Sequence, residues 1–505
     1  MQISLPVLSG PLAAIDMGSN SFRLEIGQLQ HGQYRRIDYL KETVRLGGGL
    51  DANGNLTEVS VQRGLDCLRR FAVRLDGFDA RQVRAVATQT LREARNRNAF
   101  LLRAQAELGY PIEVISGREE ARLIYAGVSH LQPTRASRLV VDIGGRSTEM
   151  ILGQGRTPLR AESFQVGSVS LSMRFFADGR LTDSAFRAAQ VAAGAELEEA
   201  LQPFAPQQWA EALGCSGTVS AVSQLLAAGG QSDGRITPRG LRWCIAGCIE
   251  AGHVDKLLWP ALRADRRAVL PGGLAILYTL ATHFGIDSLV PARGALRQGV
   301  IIDLRERLEA LRHAEPEDVR DESVRELQSR FSVPTEQALR VRTLAQTFYD
   351  AVFDRTEHLD GETRRELGWA CDLHEIGQMV SHHDHHRHSA YLVANVDAAG
   401  FSQSQQRRIS ELVLGQRGGL RKLEDSLAND HVAWQTLCMR LAVIKCHARG
   451  AVDVNELRLR REGHRALLDF SAGWAADHPR TLHLLREEAE LWARQGSLKL
   501  QLPPA

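Results

Sequence analysis

Lysine, an excess of one charge and long apolar runs are what this chain lacks. It carries 62 Lys+Arg against 60 Asp+Glu in 505 residues, a formal net charge of +2. A global basic field for nucleic acid is therefore unsupported, and no nucleic-acid partner is expected. The lysines are Lys41, Lys256, Lys422, Lys445 and Lys499, so nearly every basic residue is arginine. Arginine suits bidentate phosphate recognition, but a compositional bias of the source genome explains most of the excess. No run reaches the length of a membrane-spanning helix. The opening MQISLPVLSGPL has no basic segment ahead of an apolar one, so no export signal is read there. The seven cysteines are odd in number. Cys244 and Cys248 lie four apart in an apolar stretch, with no second pair at metal spacing, which points to core packing. A reducing, cytoplasmic setting is expected.

What is present is ordinary for a globular protein: 44% hydrophobic and 24% charged residues. The length exceeds one compact core and calls for three or four domains. The first three hundred residues alternate strand-like and helix-like segments, the α/β pattern. AAID (13–16), FRLEIGQL, VRAVAT (83–88), PIEVIS, RLVVDI (138–143) and TEMILG read as strands. The segment from Val61 to Leu75, AFLLRAQAEL and GREEARLIYAGV read as helices. One unit occurs twice: an apolar strand, Asp-x-Gly, a small polar loop and a second strand. It reads AIDMGSNSFR at Asp16 and VVDIGGRSTE at Asp142. This internal duplication suggests two similar lobes facing each other across a cleft. EALGCSGTVSAVSQLL (211–226) adds a third strand–turn–helix unit. Residues 323–450 read as nearly all helical, and the tail as strands around the helix EEAELWARQ. The domains are placed at 1–125, 126–304, 305–450 and 451–505.

The two loops point to phosphate. Gly18, Gly144 and Gly145 let main-chain N–H groups face an anion. Ser19, Asn20, Ser21, Ser147 and Thr148 add side-chain donors. Asp16, Asp142 and Glu149 are carboxylates able to hold a hydrated Mg²⁺. Phosphate and Mg²⁺ in a cleft are the setting of phosphoryl transfer. Glu119 and Glu120 open a helix, where spacing alone favours stabilisation of the helix dipole. The functional reading is a general base, and only one of the pair has room to point into the cleft. Arg92 follows a strand at the same edge; it either holds a phosphate oxygen or is a solvated helix arginine.

These segments resemble the exopolyphosphatase and guanosine pentaphosphate phosphohydrolase family of the actin, Hsp70 and sugar-kinase superfamily. AIDMGSNSFR, ATQTLREARN, ISGREEARLIY, VVDIGGRSTE, GCSGT, PGGLAIL, GALRQG, LHEIG and HRHSAYL carry the resemblance, in order, over nearly four hundred residues. It implies two actin/Hsp70-like (ribonuclease H-like) α/β lobes, an all-α HD-like domain and a small α+β domain. It implies Glu120 as general base and Arg92 on phosphate. Asp16–Ser21 and Asp142–Glu149 match the phosphate loops, with Asp142 and Glu149 near Mg²⁺. The expected activity is removal of the terminal phosphate of inorganic polyphosphate, with guanosine pentaphosphate (pppGpp) hydrolysis or a non-catalytic sensor as alternatives. A homodimer is expected, with arginines toward the C-terminal domains holding the rest of the polymer. Arg146 replaces a small residue usual in the second loop, and either reaches the phosphate chain or turns to solvent. Glu375 stands where the HD signature has Asp, and EQALRVRTLAQ lacks the first histidine, so that domain is expected to be metal-free. The tract SHHDHHRH (381–388) is expected to be a polar loop with His386 or His388 packed inward.

Overall fold

A computed structural model describes residues 10–30, 32–311, 317–353 and 361–503. Residues 1–9 of the opening segment, 312–316 of the charged linker and 354–360 of the helical stretch lie outside the described residues. The chain divides into two compact units, Met1–Pro316 and Glu317–Ala505.

The first unit contains the duplication. Strands β1 (Leu12–Met17), β2 (Phe22–Gln30), β3 (Gln33–Glu42), β4 (Val83–Ala87) and β5 (Ile112–Val114) form a sheet in the order β3-β2-β1-β4-β5. Strands β6 (Ser137–Ile143), β7 (Thr148–Gln154), β8 (Thr157–Phe164), β9 (Glu211–Cys215) and β10 (Leu289–Pro291) repeat it as β8-β7-β6-β9-β10. In each sheet the first strand pairs antiparallel with the second and parallel with the fourth. The register breaks before Gly27 in one sheet and before Gly153 in the other, at the same distance from Asp16 and Asp142. This is the two-lobed actin/Hsp70-like fold. The edge strands β3 and β8, which periodicity does not reveal, are half-exposed and polar. They show no alternation of apolar residues to read.

Each lobe has its own core, and a third core lies between the sheets around Leu123, Tyr125, Val140, Ile151, Val300 and Ile301. It is built by the helices Gly117–Leu131 and Leu296–Ala310. Their backbones are so close that a Cβ at Gly299 would collide with the Leu123 carbonyl. The second of these helices also packs on β1 and β2. The end of the second lobe therefore completes the first, and the expected boundary at 304 cuts this helix.

A buried ion network locks the two helices to the first sheet. Asp303 accepts from Arg84 at 2.5 Å, Arg122 at 2.5 Å and Arg307 at 2.7 Å. Arg122 also grips Glu119, which is 1% exposed, at 2.7 and 2.9 Å. Burial pushes the Asp303 carboxyl up, but the three arginines more than offset it and hold it well below the usual range.

In the second unit, helices that include Val319–Arg330, Thr335–Val352, Glu362–Leu373, His385–Asn395, Gln403–Gly415 and Asp430–Lys445 share one core with the tail. The tail's strands β11 (Arg458–Glu462), β12 (Arg465–Asp469) and β13 (Lys499–Gln501) form a sheet beside the helix Pro479–Gln495. Leu459, Ala466, Leu468, Trp492 and Leu500 join the same hydrophobic cluster as Val341, Trp369 and Trp434. The buried pair Arg440–Glu488, at 2.5 Å, ties the last two parts together. Residues 451–505 are thus part of the helical unit rather than a separate module. In the histidine tract the expected loop gives way to a helix from His385, while His386 is buried as expected, together with His385. Glu375 is ion-paired with Arg449.

Candidate active site

The cleft of the first unit is built where the two Asp-x-Gly turns meet. Gly18–Ser21 connects β1 to β2, and Gly144–Ser147 connects β6 to β7. A Cβ placed on Gly145 would lie 3.1 Å from Ser19 Cβ, so a side chain there would press against the first turn, and the glycine eases the close approach of the two turns. The carbonyls of Gly144 and Gly145 accept from the first turn of the helix Ser168–Phe175, at 2.8 to 3.1 Å. Among the described residues, no acceptor takes the N–H groups of Gly18, Ser19, Asn20 and Ser21, or of Gly145, Arg146 and Ser147. The hydroxyl of Ser21, the hydroxyl of Thr90 and Nε of Arg23 are buried and likewise without partners. Buried donors left unpaired in this way are costly, and they form a ready anion nest.

Glu120 lies beside this nest. It follows Ser116, whose hydroxyl caps the helix by accepting from the Glu119 N–H at 3.1 Å. The rotation of about 100° between adjacent helix positions separates the two glutamates by function. Glu119 faces the Arg84–Arg122–Asp303 network, and Glu120 faces the cleft. Arg92 donates to Glu120 at 2.9 Å and to the Ile115 carbonyl at 2.9 Å. Burial pushes the Glu120 carboxyl up, Arg92 pulls it back, and Asp16 adds repulsion. A carboxylate poised above its ordinary value is suited to accept a proton near neutral pH.

The other acids surround it. Asp16 is held by Arg23 at 3.3 Å and by Arg297 at 3.5 Å. Asp142 makes no side-chain hydrogen bond or ion pair among the described residues. Burial first, then Glu120 and Asp16, push its carboxyl up to about 7. Glu149 accepts from Ser163 at 2.8 Å, and burial with Glu120 and Asp142 raises it well above its usual value. The three proposed metal carboxylates therefore share one electrostatic environment. They do not form a closed ligand set: among the described residues, no three His, Cys, Asp or Glu side chains are grouped to hold an ion alone. An unpartnered hard-oxygen donor such as Asp142 still fits Mg²⁺, which keeps several waters and takes other ligands from substrate phosphates.

Three further residues depart from the sequence reading. The Thr148 hydroxyl is spent on the Val166 carbonyl at 2.6 Å, so it is not a free phosphate donor. Arg92 is in the site, but its fork is occupied by Glu120 and Gln89. Arg146 does not turn to solvent; it crosses to the first lobe and pairs with Glu93 at 2.7 Å. Sequence reasoning also missed Arg297, Thr90, Lys41 and Arg266. Arg297 arrives from a helix 281 residues beyond Asp16. Lys41 sits near Asp265 at 3.9 Å, and burial with the nearby Arg266 and Arg23 lowers its amine to about 8. The Arg266 guanidinium lies over Gly217 of the GCSGT turn.

The Ppx/GppA phosphatase family matches residues 26–308, and Ppx/GppA phosphatase, domain III matches residues 319–489. The chain belongs to the Ppx/GppA phosphatase family. A PPX-GPPA enzyme from Aquifex aeolicus is 26% identical, covers 58% of this chain and 98% of its own, and superposes with a TM-score of 0.50. An exopolyphosphatase from Cytophaga hutchinsonii is 22% identical, covers 59% and 98%, and has a TM-score of 0.54. An exopolyphosphatase-like protein is 25% identical, covers 59% and 99%, and has a TM-score of 0.53. Membership of the Ppx/GppA phosphatase family supports phosphatase activity, on a polyphosphate or nucleotide phosphate. No helix among the described residues is long and apolar enough to cross a membrane.

Proposed function

We propose that the protein is an exopolyphosphatase that releases the terminal phosphate of linear inorganic polyphosphate. The observation that carries this reading is Glu120: a buried carboxylate with one arginine partner, facing a nest of unpartnered N–H and hydroxyl donors. The donors of Gly18–Ser21 and Gly145–Ser147 bind the terminal and penultimate phosphates. Glu120 orients a water and takes its proton as the water oxygen attacks the terminal phosphorus. The bridging P–O bond breaks, and the shortened chain leaves as an anion that needs little acid assistance. Asp142, with Glu149 behind it, is the carboxylate that would hold a hydrated Mg²⁺, and when bound the ion neutralises charge on the leaving oxygens.

The choice of a polymer is supported by the rim. Arg23, Lys41, Arg263 and Arg266 crowd one edge of the cleft with Asp265 as their acidic neighbour. Mutual repulsion among these cations is relieved by a chain of phosphates continuing out of the nest. A homodimer is part of the same proposal. The test is turnover of long-chain polyphosphate beside pppGpp, with Mg²⁺, under the same conditions. Faster release from polyphosphate is expected. Faster release from pppGpp assigns the nucleotide reaction instead, and tight binding without release from either assigns a sensor.

A further inference from the structure

Arg146 stands at the tip of the second loop, and its hydrogen bonds begin a chain that ends on Glu120. Its Nε donates to Glu93 Oε2 at 2.8 Å, and its Nη1 to the Gly47 carbonyl at 3.3 Å. The other oxygen of Glu93 accepts from Gln89 Nε2 at 2.6 Å. Gln89 Oε1 accepts from Arg92 Nε at 2.9 Å and Nη2 at 2.6 Å. Arg92 Nη1 then donates to Glu120 Oε2 at 2.9 Å. Donor and acceptor polarity is fixed along the whole chain. The Gln89 amide has one oxygen and one nitrogen, and Glu93 dictates which of them faces Arg92. Gln89 is 6% exposed, so a turned amide has little water to compensate it. The chain also crosses between lobes, because Glu93 and Gly47 belong to the first and Arg146 to the second. Gly47 donates in turn to the Ser19 carbonyl at 2.8 Å, which links Arg146 to the first phosphate loop as well.

We propose that Arg146 is a positioning residue for Glu120, acting through Glu93, Gln89 and Arg92 so that the base is in place only when the two loops are closed on each other. This rests on the assignment of Glu120 as the base, and it goes beyond that assignment by naming what orients it from the opposite lobe. Nothing in the hydrogen-bonded chain requires Arg146 to touch substrate.

The experiment combines Arg146→Ala, Arg146→Lys and Glu93→Gln with Glu120→Gln, and reads phosphate release, melting temperature and the crystal structure of Arg146→Ala. Misplacement of a reacting group by about an ångström costs up to about 10²-fold. Arg146→Ala should therefore lower kcat by about 10- to 10²-fold with a much smaller change in KM, and Arg146→Lys should recover part of the loss. Glu93→Gln should act in the same direction, and combining it with Arg146→Ala should add little. In the Glu120→Gln background, Arg146→Ala should cost nothing further. An unchanged kcat, or the same fold-loss in the Glu120→Gln background, overturns the proposal. The crystal structure of Arg146→Ala should show the Gln89 amide turned and Arg92 moved out of hydrogen-bonding distance of Glu120. An Arg92–Glu120 hydrogen bond still in place also overturns the proposal. A wild-type protein inert toward both polyphosphate and pppGpp contradicts the proposed function, while the structural arm still decides the role of Arg146.

Discussion

The two lobes place an aspartate at the same point of the same topology, yet they treat its charge in opposite ways. In the first lobe the residue paired with Asp16 across the strands is Arg23, and Arg297 joins it. In the second lobe the residue paired with Asp142 is Glu149. One aspartate is neutralised and the other is repelled by its neighbour. Duplication thus supplies the scaffold, and the facing strand decides what each copy can do. The first lobe makes its aspartate a fixed brace among arginines. The second leaves a carboxylate in need of a cation.

Changing each aspartate is the most severe way to break that difference. Asp142→Asn should lower polyphosphate turnover by about 10²–10³-fold and abolish the saturating dependence on Mg²⁺. Asp16→Asn should cost less and keep that dependence. Steady-state phosphate release across a Mg²⁺ titration checks both.

The paired glutamates extend the comparison to stability. Asp303→Ala removes the acceptor of the buried Arg84 and the partly buried Arg122 and Arg307, and should destabilise the first unit by about 3–5 kcal/mol. Glu119→Gln leaves an amide in the same network and should cost about 1–3 kcal/mol. Urea unfolding measures both. A Glu119→Gln protein as stable as wild type would show that the network does not depend on its charge.

A smaller effect sharpens the contrast through pH. Asp142 holds its proton up to about pH 7, whereas an unfolded aspartate releases it near about pH 4. Between those values the native state binds more protons than the unfolded state, so stability falls as pH rises. Glu120 and Glu149 are raised too and act with the same sign. Mg²⁺ held at the ionised carboxylates, as proposed, would offset this loss. The increase in melting temperature on adding Mg²⁺ should therefore be larger at about pH 8 than at about pH 5.5. An equal increase at both would place the ion away from these groups.

Much of this site was legible because its parts are local. Each Asp-x-Gly turn is flanked by apolar strands, and the repetition of AIDMGSNSFR as VVDIGGRSTE announces two lobes. Glu120 was separable from Glu119 only through the family resemblance. The physical reason for the split, the Arg84–Arg122–Asp303 network, joins residues from three distant segments. Arg297 lies within GALRQG, one of the segments that carry the resemblance, but that segment alone gives it no role, and nothing in the local sequence of Arg266 points to the cleft. Arg146 was recognised as unusual, but its target, Glu93, lies on the other lobe. Thr148 looked like a loop donor and proved to be the first residue of β7, with its hydroxyl turned to Val166. The tail reads as a separate module because strand-like segments follow a nearly all-helical stretch. Only packing reveals that Trp492 and Leu459 fill the same core as Trp434.

The central claim is that Glu120 takes the proton from the attacking water. Glu120→Gln keeps the size of the side chain and can still accept a hydrogen bond from Arg92, but it cannot act as a base. The decisive measurement is the rate of phosphate release from polyphosphate by Glu120→Gln, with polymer binding and melting temperature measured on the same sample. Release should fall by about 10²–10⁴-fold while binding and melting temperature stay close to wild type. A Glu120→Gln protein that turns over polyphosphate at nearly the wild-type rate would contradict the account.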